Sequence, residues 1–314
     1  MKIHTNKKSI IIAIIILTIL LTLISTNYKV FLAEDRFITI AFVLSILSSV
    51  ISCVLFAIKI DCSTKVNKYI TIISFIISFV FSYIIIELLN QSIPFSLYLK
   101  RLIFNFILII FLHLFIYAIS NRFSITILLS NLIIFVLGSI NYAVVCFRGT
   151  PLVPWDILSI KTAVHVAGTY SFSFNHYFLM ATTLLFLILS IGLKARHVFK
   201  SKKLNLTIRF IFLLSVIIST VIFYSTNIIN YFDFENNLWR PIDEYTNNGF
   251  LASFIKQSKN LFNAKPETYS IQHIENILNK LDYKITENTS PEERPNIIVI
   301  MNESYCDLSV NRQT

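Results

Sequence analysis

The sequence predicts a mainly α, polytopic membrane protein: a transmembrane bundle of about seven spans over 1–224, a juxtamembrane linker over 225–295, and the start of an α/β domain over 296–314. Three observations predict it. Of the 314 residues, 55% are hydrophobic and 14% charged, against about 25% charged in an ordinary soluble domain, which excludes a water-soluble globule. The apolar residues arrive in unbroken blocks of membrane-spanning length instead of at the period of an amphipathic helix or strand. The net charge of +10 is also divided by region: residues 1–224 hold 19 Lys and Arg against 5 Asp and Glu, and residues 225–314 hold 8 against 12. That division argues against a nucleic-acid partner and assigns the two parts different work.

The apolar blocks lie at about 9–24, 37–57, 69–89, 102–119, 125–145, 177–193 and 208–224, with the fourth and fifth separated only by 120–124, which implies a tight helical hairpin. Alternate connections collect the cations: Lys2, Lys7, Lys8, Lys59, Lys65, Lys68, Arg122, Lys194, Arg196, Lys200, Lys202, Lys203 and Arg209 fall on one side, 13 against six on the other. Lys and Arg are retained on the cytoplasmic face. The expected protein is therefore a multi-pass cell-membrane protein with a cytoplasmic N-terminus and an extracellular C-terminus. The first block follows lysines but is succeeded by Ser25-Thr26-Asn27-Tyr28-Lys29, without a small-residue cleavage pattern, and reads as an uncleaved signal anchor. Glu87 near one span end and His113 within the fourth are almost the only ionisable residues inside the blocks, which argues against a pump or ion-coupled transporter. His113 is expected to be hydrogen-bonded within the bundle. The cysteines at 53, 62, 146 and 306 have no metal-site or redox spacing, although a Cys146–Cys306 disulfide is conceivable.

The outer loop, 146–176, is long enough to be structured. Gly149, Pro151 and Pro154 break any helix at its start, whereas 157–167 has the spacing of an amphipathic helix lying at the membrane surface. Arg148, Lys161 and His165 are candidates for holding a lipid phosphate, with Trp155 anchored at head-group depth. The alternative is that these residues only fix the loop at the interface.

Beyond the last span, 233–248 is polar, acidic and irregular, and 249–256 is a short apolar piece expected along the membrane surface. Ile271, Ile274, Ile277, Leu278 and Leu281 recur at helical spacing with charges on other faces, so an amphipathic helix is expected. After the polar linker 286–295 comes Asn296-Ile297-Ile298-Val299-Ile300-Met301, a β-branched run suited to a strand buried on both faces. Residues just past the carboxyl end of such a strand are where open α/β sheets place ligands. Glu303 is there a candidate Mg or Mn ligand, or else a helix-terminal or solvent-facing Glu.

The run Pro295-Asn296-Ile297-Ile298-Val299-Ile300-Met301-Asn302-Glu303-Ser304 resembles the opening strand and first metal-ligand motif of the lipoteichoic acid synthase family. These are membrane-anchored phosphoglycerol transferases of the sulfatase and alkaline phosphatase superfamily. Asn248-Gly249-Phe250-Leu251 and Lys265-Pro266-Glu267-Thr268-Tyr269-Ser270 are similar to that family's segment between membrane module and catalytic domain, as is the loop with Gly149-Thr150-Pro151 and Asp156; the resemblance covers roughly residues 145 to 310. It implies that Glu303 ligates a divalent cation, Mn or Mg. It also implies a threonine nucleophile some tens of residues beyond the strand and later Asp and His ligands, none of which has a position among these residues. The chain is accordingly expected to carry a truncated sulfatase-like domain, no catalytic residue, and no activity by itself.

The implied chemistry is attack by a metal-activated threonine on phosphatidylglycerol, releasing diacylglycerol, with transfer of phosphoglycerol to an outer-face glycolipid or teichoic-type polymer. The implied process is lipoteichoic acid synthesis in cell-wall biogenesis. Two alternatives stay open: a phosphoethanolamine transferase of the same superfamily, and a non-catalytic polytopic protein that binds lipid or a partner at the outer face.

Overall fold

The structure is a computed structural model that describes residues 2–32, 35–159, 173–196, 202–237, 239–261 and 270–280. It divides into two units, Met1–Asn263 and Ala264–Thr314. In the first, β1 (Lys2–Thr5) leads into α1 (Lys7–Thr26) and α2 (Arg36–Ala57), followed by β2 (Ile58–Asp61), α3 (Thr64–Leu89), α4 (Leu99–Ser120), α5 (Phe123–Arg148), α6 (His176–Gly192) and α7 (Lys202–Ser225). Two short helices close the unit, α8 (Pro241–Asn248) and α9 (Phe250–Ser258). The described part of the second unit is α10 (Ile271–Lys280), whose first turn is capped by Ser270 Oγ accepting from His273 N at 3.1 Å. This is the amphipathic helix expected from the spacing of Ile271, Ile274, Ile277 and Leu278.

Each of the seven apolar blocks forms one helix, α1 to α7. Six of them are long and apolar enough to cross a membrane, so the chain is a membrane-embedded helical bundle. The exception, α6, has 17 residues, about 25 Å at 1.5 Å per residue. It packs among α2, α3 and α5, and its start is fixed by Asn175, which accepts from Phe178 N at 3.1 Å. The α4–α5 hairpin is as tight as expected: Asn121 caps α4 in the left-handed conformation at φ 56° and Arg122 begins the approach to α5.

The seams between helices follow from small polar residues at helical spacing. Ser45, Ser48, Ser49 and Ser52 lie on one face of α2, and Thr71, Ser74, Ser78 and Ser82 on one face of α3; all eight are buried. Small residues let helices approach closely where lipid supplies no hydrophobic driving force between them. Most of these hydroxyls return to their own helix, for example Ser45 Oγ to Ala41 O at 2.7 Å and Thr71 Oγ1 to Asn67 O at 2.8 Å. Many large aliphatic residues of α1, α2 and α7 are exposed instead, as lipid-facing side chains should be.

The bundle has two unlike ends. At one, β1 and β2 pair antiparallel from Lys2↔Asp61 to Thr5↔Ile58, a ribbon that the tail and connection gave no sign of in sequence. Lys194 Nζ donates to Ile58 O, and Arg209 Nε donates to Ala118 O at 2.7 Å, meeting the free carbonyls at the end of α4. The other end carries the turn after α3, the loop after α5, and α8 with α9. Here the structure departs from two expectations. Residues 233–248 are not irregular throughout, since Pro241 opens α8 at a favoured helix-start position with Asp243 and Glu244 in the first turn. The apolar piece 249–256 does not lie free on a surface: Phe250, Leu251, Ala252 and Ser253 of α9 are buried against the bundle, because polar groups beside them find partners on the helix ends.

Candidate functional site

The most elaborate chemistry in the described residues is a buried polar joint between the ends of α3, α4 and α5 and the segment 233–258. Glu87, in the last turn of α3, is 1% exposed. Its Oε2 accepts from Ser92 Oγ at 2.7 Å and its Oε1 from Phe250 N at 3.0 Å, so the carboxylate stands where the first turn of α9 needs an acceptor. A buried carboxylate without such donors would be too costly to keep.

Asparagines complete the joint. Asn90 Nδ2 donates to Tyr245 O at 3.0 Å, Asn141 Nδ2 donates to Asn90 Oδ1 at 3.4 Å, and Asn141 Oδ1 accepts from Leu152 N at 2.9 Å. Tyr245 OH then donates to Leu152 O at 3.0 Å, closing a ring that joins α3, α5, the loop after α5 and α8. Burial first, then Glu244 and Asp156, push the Tyr245 hydroxyl well above its ordinary range, so it stays a donor. Beside the ring is a cavity of about 220 Å³, lined by Asn90, Gln91, Val145, Pro151, Tyr245 and Thr246 among others.

On α4, Asn105 Nδ2 donates to Asn248 O at 2.8 Å while its Oδ1 accepts from Ala252 N at 3.1 Å. Gly249 passes directly over it at φ 84°. One helical turn earlier Arg101 donates through Nε to Asp233 O at 2.9 Å, and through Nη1 to Glu235 Oε1 at 2.9 Å and Asn247 O at 3.1 Å. Hydrogen bonds from Arg101 and Asn247 hold the Glu235 carboxyl below its usual range. Within the segment itself, Lys256 Nζ pairs with Glu244 Oε1 at 2.9 Å, both side chains nearly buried.

Of the residues expected to bind a lipid head group, Arg148 and Trp155 are described and Lys161 and His165 lie outside the described residues. Arg148 is engaged within its own loop. Its Nη1 and Nη2 donate to the two carboxylate oxygens of Asp156 at 2.8 Å each, its Nε to Thr150 Oγ1 at 2.6 Å, and its Nη2 also to Pro151 O at 2.8 Å. Burial pushes the Asp156 carboxyl up, but the Arg148 hydrogen bonds, the Val153 amide and the Arg148 charge outweigh it and leave the group below its ordinary value. Trp155 lies in a 3₁₀ turn, Pro154–Ser159, with Ile157 and Leu158 exposed beside it. The surface helix expected over 157–167 falls mostly outside the described residues.

Glu303, the candidate metal ligand, lies outside the described residues, as do Cys306 and the strand 296–301; Cys146 is a free thiol. Among the described residues no group of three or more His, Cys, Asp or Glu is gathered for a metal. His113 is buried as expected, with Nδ1 2.9 Å from Ile109 O and its ring edge-on to Phe79. Glu87 was visible in sequence as an ionisable residue at a span end. Asn248 was noted only within the run Asn248-Gly249-Phe250-Leu251; Asn90, Asn105 and Asn141 were not singled out, although Asn105 and Asn141 lie inside apolar blocks, where an amide calls for a partner.

Compared with family models, with curated proteins and with solved structures, the chain matches none. The class that fold and joint define is a membrane-embedded helical bundle with a segment docked on one end.

Proposed function

We propose that the chain is the membrane module and lead-in of a sulfatase-like phosphoglycerol transferase, seven spans deep, with its basic end cytoplasmic and the docked segment 233–258 on the outer face. The observation that carries this reading is the joint. Residues 233–258 are bonded through Arg101, Asn105, Asn90 and Glu87 to two helix ends, which gives the chain leaving Ser258 a fixed point of departure at the membrane. A transferase whose donor is phosphatidylglycerol needs its site held near the outer leaflet, and such a joint supplies that. The resemblance of 295–304 to a strand and metal-ligand motif supplies the chemistry, with Glu303 as the ligand of Mn or Mg.

The DNA after codon 314, read in all three frames, tests it. A frame encoding a threonine nucleophile and later Asp and His ligands supports the transferase; a frame without them sinks it. The protein encoded by that frame should release diacylglycerol from phosphatidylglycerol vesicles with Mn and lose this with Glu303→Ala, whereas residues 1–314 alone should release none. Release from phosphatidylethanolamine vesicles instead would select the phosphoethanolamine reading.

A further inference from the structure

A cavity of about 390 Å³ lies between α4 and α7, its walls formed by Phe104, Leu108, Phe111, Val216, Phe223 and Ile255 with neighbours of similar kind. Its lining is almost wholly apolar. Ser219 and Thr220 open the recess where bulky residues would fill it, and the Thr220 hydroxyl is already satisfied by Val216 O at 2.9 Å. Along α7 the wall from Val216 to Tyr224 is about 12 Å long, and it begins at the end of the bundle where α9 docks. One leaflet of hydrocarbon is about 15 Å, half the core thickness. The groove is therefore nearly as long as a single leaflet is thick.

Its mouth is marked by a cation. Lys259, just past α9, donates from Nζ to Thr226 O at 2.8 Å, immediately beyond the end of α7, and holds its ammonium 4.8 Å from the centroid of the Phe223 ring that walls the groove. Among the described residues no carboxylate is paired with it. An ammonium has three donors, so donors remain for a ligand at the mouth of the groove.

We propose that this groove is a binding site for one glycerophospholipid of the adjacent leaflet, an acyl chain between α4 and α7 and its phosphate on Lys259. The site is separate from the Arg148 loop and stands whether or not the transferase reading does.

The test is native mass spectrometry of the whole chain in mild detergent, titrated with phosphatidylglycerol and separately with inorganic phosphate. One phospholipid should be retained and phosphate alone should not. Ser219→Trp, which fills the recess, should weaken retention at least tenfold; Lys259→Ala should weaken it roughly tenfold and Lys259→Arg much less, as expected for one charge-assisted contact. Because Ser219→Trp could disturb folding, a phospholipid with a diazirine in its acyl chain is also photolysed with the unaltered protein, and crosslinks should map to α4 and α7. Crosslinks elsewhere, or undiminished retention by a folded Ser219→Trp protein, would overturn the proposal. So would a dimer that the tryptophan abolishes while lipid retention is unchanged.

Discussion

Gly249→Ala is the sharpest perturbation of the joint. Gly249 occupies φ 84°, ψ 149°, a region essentially closed to other residues, which costs on the order of 1–3 kcal/mol for a side chain forced into it. An alanine Cβ there would stand 2.5 Å from Asn105 Nδ2 and 2.9 Å from its Cγ. Asn105 cannot yield without releasing Asn248 O and Ala252 N, and each buried group left unpaired costs about 1–3 kcal/mol. Together these weaken docking of 233–258 by roughly 3–9 kcal/mol, or a hundredfold and more in the opening equilibrium. Hydrogen exchange read by mass spectrometry should show peptides from α8 and α9 losing that much protection, while peptides from the α3–α6 seam keep theirs. Gly149→Ala is the control: its φ is 69° but nothing lies within 4 Å of the added Cβ, so it should cost only about 1–2 kcal/mol. Equal effects of the two substitutions, or unchanged protection of α9 in Gly249→Ala, would refute the reasoning.

Further expectations follow from the same contacts. Glu87→Ala strips the acceptor from Phe250 N and leaves Ser92 Oγ only the main-chain oxygen of residue 87 at 3.0 Å, and should lower thermal stability in detergent by roughly 1–3 kcal/mol, Glu87→Gln by less; equal losses would show that the side-chain contacts do not matter. Asn131→Leu removes the acceptor of Ser82 Oγ, 2.9 Å away in the α3–α5 seam, and should cost only about 1 kcal/mol, since interhelical hydrogen bonds in membranes are weak. The Asp156 carboxyl has a depressed pKa in the folded loop, so its contribution is complete above the ordinary carboxylate value of about 4 and is lost as pH falls through the folded value. Trp155 fluorescence in a Trp239→Phe protein should therefore be constant through neutral pH and shift only in acid, and Asp156→Asn should show the shifted signal at every pH. With the four native cysteines replaced by serine, a cysteine at Trp239, which is 95% exposed, should react with a membrane-impermeant maleimide in intact cells, and one at Thr5 should not; the reverse labelling would overturn the proposed orientation.

The helices were legible because a span announces itself by length and composition, and because Asn121 and Gly149 are residues that end helices. The seams were legible in principle too, as serines three and four residues apart on α2 and α3, a signal that hydropathy conceals since it weighs a serine alike on any face. The joint was not. Glu87, Asn105 and Asn248 acquire meaning only from pairings across more than 100 residues, such as Asn105 with Asn248 and Glu87 with Phe250. Locally Glu87 reads only as an ionisable residue at a span end and Asn248 only as the start of a connecting segment, and neither reading names a partner. Segment 249–256 was misjudged for the same reason: its apolar character fits a membrane surface and a buried helix equally, and the choice is made by Glu87 and Asn105, far away in sequence. The head-group reading of Arg148 did not foresee that Asp156, eight residues on, takes both arms of the guanidinium.

Joint and groove share a wall, and that makes them one thermodynamic system. Phe104 of α4 is packed with Phe223, Phe232 and Ala252, and Ile255 of α9 reaches both this cluster and the groove. A lipid that needs Ile255 in place binds the docked state of 233–258 better than the undocked one, and by linkage its binding strengthens docking by the same factor. Gly249→Ala makes no contact with the groove, yet it should lower phospholipid retention measured by native mass spectrometry. Adding phosphatidylglycerol should in turn restore part of the lost protection of α9. Full lipid retention by the Gly249→Ala protein, alongside an α9 that has lost its protection, would mean that α4 and α7 hold the lipid by themselves and that the two features are neighbours without being coupled.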